Sequence, residues 1–393
     1  MESEMKLERF IRKKELIDLT RQLIQIPTEN PPGNEKPAFL FLRKLISKMG
    51  FHVVPYISPK GRWNIVASRR WGKGGRTLIF NGHVDVVPAG DPSQWRYPPF
   101  QGRISNGRIY GRGSSDMKGG IASFLQAISM IDRSKVPLNR GTVALHLVSD
   151  EECHGHQGME FLSGKGVIRG DAAIIGEPTD LCPAIAQKGS LWLKISTFGK
   201  AAHGSTPHLG ENAIETMTHV IKALDSLRME RVHPLLGKPT LNIGLILGGT
   251  KINVVPDQCE IALDRRLIPG EQKQEVLEEI RRALDSAQHR DSPFRYRMEE
   301  IDFAEPVEVD AEEEIVKISL EAIQRVRGGR PEIKGLSAFT DGRFYIRQGN
   351  IPTLIIGPGE LRQAHTADES VGIDALVQAC HIYGLIILNY LGS

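Results

Sequence analysis

Imidazole and carboxylate side chains recur along this chain in short polar clusters, each placed just after an apolar run. His83 and Asp85 lie in Asn81-Gly82-His83-Val84-Asp85, and Asp116 follows Gly113-Ser114-Ser115. Glu151 and Glu152 close Ser149-Asp150-Glu151-Glu152, Glu177 sits in Gly176-Glu177-Pro178-Thr179, and His365 lies in Ala364-His365-Thr366-Ala367-Asp368-Glu369. Imidazole nitrogen and carboxylate oxygen suit zinc, and also accept cobalt or manganese. Two such ions about 3.5–4 Å apart need one carboxylate to bridge them. Asp116 suits that place, because it follows a Gly/Ser turn at the expected start of a helix. Two divalent ions would outweigh the charge of Asp116, Glu152 and Glu177, a surplus that favours ionising a water. Asp85 is too near His83 to share its metal easily, and can instead accept a hydrogen bond from the other ring nitrogen. Glu151 is spare in the ligand count and is placed to act as a general base. His154, His156 and Cys153 follow Glu152 closely enough to compete as ligands, but the histidines read better as exposed loop residues and Cys153 as a partly buried bystander thiol.

Such residues work together only if the fold gathers them. The Val- and Ile-rich runs Phe51–Ile57, Asn64–Ser68, Thr77–Phe80, Thr142–Val148, Ala172–Ile175 and Thr353–Ile356 read as strands buried on both faces. Met117, Ile121, Phe124, Leu125 and Ile128 share one helical face, and Leu16, Leu19, Leu23 and Ile24 mark an opening helix near residues 6–25. Alternating strands and helices predict an α/β sheet covered on both sides, with ligands bound at the carboxyl ends of its strands. His83, Glu151 and Glu177 fall at such ends. The segment from about Ser190 to Ile301 reads instead as strand, helix, strand, strand, helix, strand, the ferredoxin-like split unit. None of the candidate metal ligands lies within it. The expected organisation is a catalytic domain over residues 1–189 and 304–393, with an α+β domain inserted at 190–303.

Bulk properties narrow the function classes. At 393 residues the chain exceeds the usual span of one core. A net charge of +3, evenly spread, makes a nucleic-acid partner unexpected. Cys153, Cys182, Cys259 and Cys380 are isolated, which fits a reducing compartment and argues against a thiolate metal site. The charged N-terminal segment lacks the apolar core of a signal peptide, so a cytoplasmic location is expected. The apolar tail Ile382–Leu391 is short for a membrane span and reads as a buried helix.

At Asn81–Pro88 and Tyr110–Gly120 the chain resembles the acetylornithine deacetylases, succinyl-diaminopimelate desuccinylases, aminoacylases and related zinc carboxypeptidases, and the likeness runs nearly end to end. The resemblance implies a zinc-peptidase-like catalytic domain with a central, mostly parallel sheet, and an inserted ferredoxin-like lid that also forms a homodimer. It implies two zinc ions per subunit: His83 and Glu177 on one, Glu152 and His365 on the other, Asp116 between them. Glu151 would be the general base, Asp85 the partner of His83, and the peptide after Asp116 would be cis. Lys200-Ala201-Ala202-His203-Gly204-Ser205-Thr206-Pro207 matches the family's lid motif, whose histidine serves the neighbouring subunit's site as an oxyanion donor. Asn253 and Arg266, in motifs that also match, would hold a substrate carboxylate. Arg343, in Thr340-Asp341-Gly342-Arg343-Phe344, is a further candidate for substrate contact or for a structural role, whereas Arg265 reads as a surface charge. The desuccinylase's double arginine is replaced here by Gln187-Lys188, and its paired glycines by Ser337-Ala338.

Together these features predict hydrolysis of an N-acyl amino acid, acetylornithine deacetylase or desuccinylase in type. A dipeptidase or carboxypeptidase using the same site is the alternative, and a non-catalytic ligand-binding homologue a more distant one.

Overall fold

A computed structural model of the chain describes residues 4–291 and 294–392. It forms two compact units, the first from residues up to Ile185, Glu308–Leu336 and residues from Thr340 onward, the second from Ala186–Val307 with Ser337–Phe339. The chain opens with a 3-10 turn over Glu4–Phe10 and then α1 (Lys13–Ile24), rather than one continuous helix. Arg12 leaves helical geometry between them, and Leu7 and Leu16 on either side are both wholly buried. α2 (Lys36–Lys48) leads into β1 (His52–Ile57), β2 (Trp63–Arg70) and β3 (Thr77–His83). After the short strands β4 (Arg103–Ser105) and β5 (Arg108–Tyr110) come α3 (Gly119–Ser134), β6 (Thr142–Val148), α4 (Met159–Gly164), β7 (Ala172–Ile175) and β8 (Ala184–Gln187).

The second unit then runs β9 (Gly189–Phe198), α5 (Ala213–Asp225), β10 (Thr240–Gly248), β11 (Gln258–Leu267), α6 (Lys273–Asp291) and β12 (Arg295–Ala304). Its strands pair antiparallel in the order β10-β11-β9-β12. That order, with both helices on one face, is the ferredoxin-like α+β arrangement. Alternate residues of β9 and β11, among them Leu191, Leu193, Ile195, Ile261 and Leu263, pack with Met217 and Val220 of α5 and Ile280 and Leu284 of α6. Ser337–Phe339, expected in the returning catalytic segment, belongs here: the Phe339 ring centroid lies 5.6 Å from the Arg266 guanidinium.

The chain returns through β13 (Val307–Glu308), α7 (Glu314–Arg327), β14 (Lys334–Leu336), α8 (Gly342–Gly349), β15 (Thr353–Ile355), β16 (Ser370–Gly372) and α9 (Ile373–Gly392). Among the described residues the large sheet is ordered β1-β2-β6-β3-β7-β15-β8-β13, with β14 beside β8. Its centre, β6-β3-β7-β15, is parallel. β3 and β7 are buried on both faces, as their apolar runs require, but β1 is an edge strand and is only half covered. Phe80 of β3 stacks on Phe124 of α3 with centroids 3.9 Å apart, and Tyr383 of α9 meets both rings. α9 has the length and apolar character of a membrane span, yet most of its residues are buried inside this unit, as a core helix. A separate small sheet, β16-β5-β4, joins the C-terminal segment to the loop before Asp116.

Candidate metal centre

Because β6, β3 and β7 run parallel, the loops leaving their carboxyl ends emerge along one edge of the sheet. His83 is the last residue of β3, Glu151 and Glu152 follow β6, and Glu177 follows β7 by two residues. α3 approaches that last loop so closely that a Cβ on Gly120 would stand 2.3 Å from the Gly176 carbonyl oxygen. Asp116 precedes α3, in an irregular turn over Ser114–Lys118, with φ −118° and ψ 97°. It is therefore not at the helix start, and the peptide to Met117 is cis. In this turn the N–H groups of Gly113, Ser115 and Asp116 donate to the Glu369 carboxylate, distant in sequence, instead of entering a helical ladder.

All the predicted ligands come together. His83 Nε2 lies 3.0 Å from Asp116 Oδ1, 3.4 Å from Glu177 Oε1 and 3.9 Å from Glu151 Oε2. His365 Nε2 lies 2.9 Å from Glu152 Oε2 and 3.5 Å from Asp116 Oδ2. The two Asp116 oxygens thus face two histidines from opposite ends of the sequence. His83, Asp116, Glu151 and Glu177 are buried, whereas the His365 side chain is 54% exposed.

The electrostatics describe a site with surplus negative charge. Burial disfavours the charged form of His83, but Glu177, Asp116 and Asp85 outweigh it and hold its pKa well above the ordinary imidazole value. His365 is pushed up to about 9, chiefly by its hydrogen bond with Glu152. Burial and the nearby Asp116 charge push Glu177 up to about 7. Burial, with the Glu177, Asp341 and Glu152 charges, raises Glu151 well above the carboxylate range, against the pull of His83. Protons held by acids and imidazoles together mark a place where a cation would be stabilised. The N/O donor set fits one or two divalent ions of the zinc, cobalt or manganese kind.

Asp85 differs from its expected part. His83 Nδ1 lies 2.9 Å from the Asp85 backbone carbonyl oxygen and 3.6 Å from its carboxylate. That carboxylate accepts from the backbone N–H groups of Glu151 and Glu152, each at 3.3 Å, and from Asn30 Nδ2 at 2.9 Å. One aspartate therefore holds both the first histidine and the turn carrying the two glutamates. Asn30 also donates to Asp150 Oδ1 at 3.2 Å, and Arg62 links Asp150 at 3.1 Å to the buried Glu35. Asn30, Glu35 and Arg62 carry no signal in the sequence, since they lie outside every motif. Asp341 is buried and accepts from Asn81 Nδ2 at 3.4 Å, behind His83.

Two further readings are corrected, and a third residue is placed. His154 is buried rather than exposed, and its backbone carbonyl accepts a hydrogen bond from the Arg343 guanidinium. Arg343, expected as a substrate contact or a structural residue, is 4% exposed and donates to the His154 carbonyl in the turn after Glu152. Arg265 is not a surface charge: it is 1% exposed and its guanidinium lies 2.6 Å from Glu271 Oε1. His156 is exposed, beside Glu160, and Cys153 is part-buried, as expected.

The lid candidates occupy the second unit. His203 is exposed, with Nδ1 2.7 Å from Ser205 Oγ, and it bridges to Val254 through the backbone. Gly204 N–H donates to the Asn253 carbonyl at 2.8 Å, so the loops of His203 and Asn253 form one surface. Arg266, on β11, is held by Asp264 at 2.9 Å and remains partly exposed.

An α/β domain with a parallel central sheet, a His/Asp/Glu cluster at its strand ends and a spare buried glutamate beside it has the build of a metal-dependent hydrolase. The family comparison agrees: the model of peptidase family M20/M25/M40 matches residues 79–389, and the chain belongs to that family. It is 31% identical to an acetylornithine deacetylase of Proteus mirabilis (strain HI4320) over 398 residues, covering 97% of this chain and 98% of that protein. The fold is similar to an M20 family metallo-carboxypeptidase, Sso-CP2 from Sulfolobus solfataricus, with TM-score 0.82 at 21% identity, covering 96% of this chain and 100% of that one. A tripeptidase from Staphylococcus aureus subsp. aureus Mu50 gives TM-score 0.81 at 22% identity, covering 98% and 100%.

Proposed function

We propose that this chain is a cytoplasmic two-zinc amidohydrolase that removes the acyl group from an N-acyl amino acid, in the manner of an acetylornithine deacetylase. The observation that carries the two-ion reading is Asp116, whose two oxygens face separate His/Glu sets: His83 with Glu177, and His365 with Glu152. The acyl-amino-acid reading draws support from the end-to-end likeness to acetylornithine deacetylases. Cobalt or manganese would suit the same donors.

When bound, the ions polarise the scissile carbonyl and ease ionisation of the attacking water. Glu151, left over from both ligand sets, takes the water proton as the oxygen–carbon bond forms. It returns that proton to the leaving nitrogen as the carbon–nitrogen bond breaks, releasing a carboxylic acid and a free amine. Asp85 keeps the Glu151–Glu152 turn in register with His83 through its backbone hydrogen bonds. His203 of a second copy supplies a donor to the developing oxyanion, and Asn253 and Arg266 hold the substrate's carboxylate.

A homodimer through the second unit follows from that part for His203. It is supported by β10, which among the described residues ends its sheet with one edge unpaired and exposes Leu245, Ile246 and Leu247. The test is a release assay with zinc- or cobalt-loaded protein on Nα-acetylornithine, other N-acyl amino acids and unblocked dipeptides. Faster turnover of the acylated series supports the proposal. Preference for dipeptides would favour the second reading, a peptidase, to which the fold's likeness to a carboxypeptidase and a tripeptidase lends weight.

A further inference from the structure

Glu369 is wholly buried, four residues beyond His365, and has no part in the chemistry described above. Its carboxylate is filled by donors from one short segment. Oε1 accepts from Ser115 N–H at 2.9 Å and Asp116 N–H at 3.1 Å. Oε2 accepts from Gly113 N–H at 3.0 Å and from Arg112 Nη1 at 2.8 Å. Gly113 takes φ +82° to turn its N–H into this group, a conformation costly for a residue with a Cβ. The Glu369 backbone carbonyl adds a fifth bond, from Gly111 N–H at 2.8 Å.

Arg112 works in the opposite direction. The same Nη1 donates to the carbonyl of Thr366 at 3.1 Å, the residue immediately after His365. Its Nη2 reaches the Pro88 carbonyl at 3.4 Å, and its guanidinium lies 5.2 Å from the Trp95 ring centroid. The pairing of β16 with β5, Ser370 opposite Tyr110, brings the two segments to this spacing. One buried ion pair thus fastens the loop of Asp116 to the loop of His365.

The two histidines depend on this fastening unequally. His83 ends a strand buried on both faces and is itself 1% exposed, so the core packing holds it. His365 stands on a loop at φ +63° with its side chain largely in solvent, and packing alone does not fix it. Besides its contact with Glu152, the backbone of its loop and that of Asp116 meet at the Arg112–Glu369 pair.

We propose that Glu369, with Arg112, is the positioning pair that aims the bridging carboxylate of Asp116 at His365, and so governs the second metal position separately from the first. This rests on the two-ion reading of the site. Neither residue touches an ion or substrate; each acts through backbone atoms of the ligand loops.

The test is calorimetric titration of chelator-stripped full-length protein with Zn2+, repeated with Co2+ and followed by visible absorption. Two binding steps are expected for the unaltered chain. Glu369→Gln replaces one carboxylate oxygen with an NH2 group that must face donors, either Gly113 and Arg112 or Ser115 and Asp116. The weaker step should lose about 10- to 100-fold in affinity, the usual cost of removing a group that orients a ligand, while the tighter step moves by less than about threefold. The Co2+ bands of the second ion should change with it. Glu369→Asp retains the charge, guards against misfolding of the glutamine variant, and should show the same selective loss at smaller size. Equal weakening of both steps would mean a general structural role and overturn the proposal, as would an unchanged second step in a folded variant. If the unaltered chain takes up only one ion, or none, the two-ion reading itself falls, and this assignment falls with it.

Discussion

The metal cluster and the lid loops are organised in opposite ways. In the catalytic unit each ligand loop is tied by residues distant in sequence: Asn30 to Asp85, Asp85 to Glu151 and Glu152, Glu369 to Asp116. In the second unit His203 is exposed, and its ring meets Ser205, two residues away. A site pinned by long-range bonds in a buried setting is preorganised, and its geometry persists without substrate. The His203 ring, exposed and bonded within its own loop, can be reoriented at little cost, although the loop backbone is tied to Asn253 and Val254.

Removing the centre of the pinned region should have the largest effect. Asp116→Ala deletes the one group shared by both halves, so elemental analysis should find both ions depleted. Because the ligands act as a unit, kcat/KM should fall on the order of 10⁴-fold or more. Retention of one full ion with substantial turnover would show that the halves are independent, contrary to the bridging geometry. Glu151→Gln comes next. It removes the base and leaves the ligands, so kcat should drop by about 10²–10⁴-fold with metal content unchanged. Loss of metal in this variant would make Glu151 a ligand instead.

Much of this arrangement was legible in the sequence, for physical reasons. The runs Thr77–Phe80, Thr142–Val148 and Ala172–Ile175 are apolar on both faces because parallel central strands are covered on both sides, and their polar ends mark the site. The β-α-β-β-α-β order of the second unit could be read from its changes of period. What stayed hidden depends on pairing between distant segments. Glu369 sits in the same motif as His365, yet nothing local shows that its partners are the N–H groups of Gly113, Ser115 and Asp116. Arg265 reads as a surface charge because nothing local shows that β11 turns it to the inner face, where the Glu271 carboxylate makes it tolerable. His154 reads as exposed because it stands in a polar loop, yet it is buried and its carbonyl is met by Arg343 from a segment 189 residues away.

On the lid side, His203→Ala should leave metal binding and stability unaltered and lower kcat by about 10²–10³-fold, the usual worth of one oxyanion donor. Mixing this variant with Glu151→Gln separates two placements of the histidine. If it serves a second copy, a mixed dimer has one site with both Glu151 and an incoming His203, and about a quarter of full activity should return by random pairing. If His203 serves its own subunit, no activity returns on mixing.

The smallest effect should come from Arg266, and it sharpens the contrast most finely because its neighbour belongs to the other kind. Arg265 and Arg266 are adjacent on β11, so their side chains leave opposite faces. Arg265 is closed in by Glu271, and its loss is a matter of stability. Arg266 is shared between Asp264 and the face of Phe339, and part of its guanidinium remains free to solvent. Arg266→Lys keeps the charge but loses the planar fork, so KM for an N-acyl amino acid should rise about tenfold with kcat nearly unchanged. An amide substrate without the free carboxylate should be turned over equally by both forms. If instead the substitution lowers kcat for both substrates alike, Arg266 supports the lid's shape, and the carboxylate must be sought elsewhere on the His203–Asn253 surface.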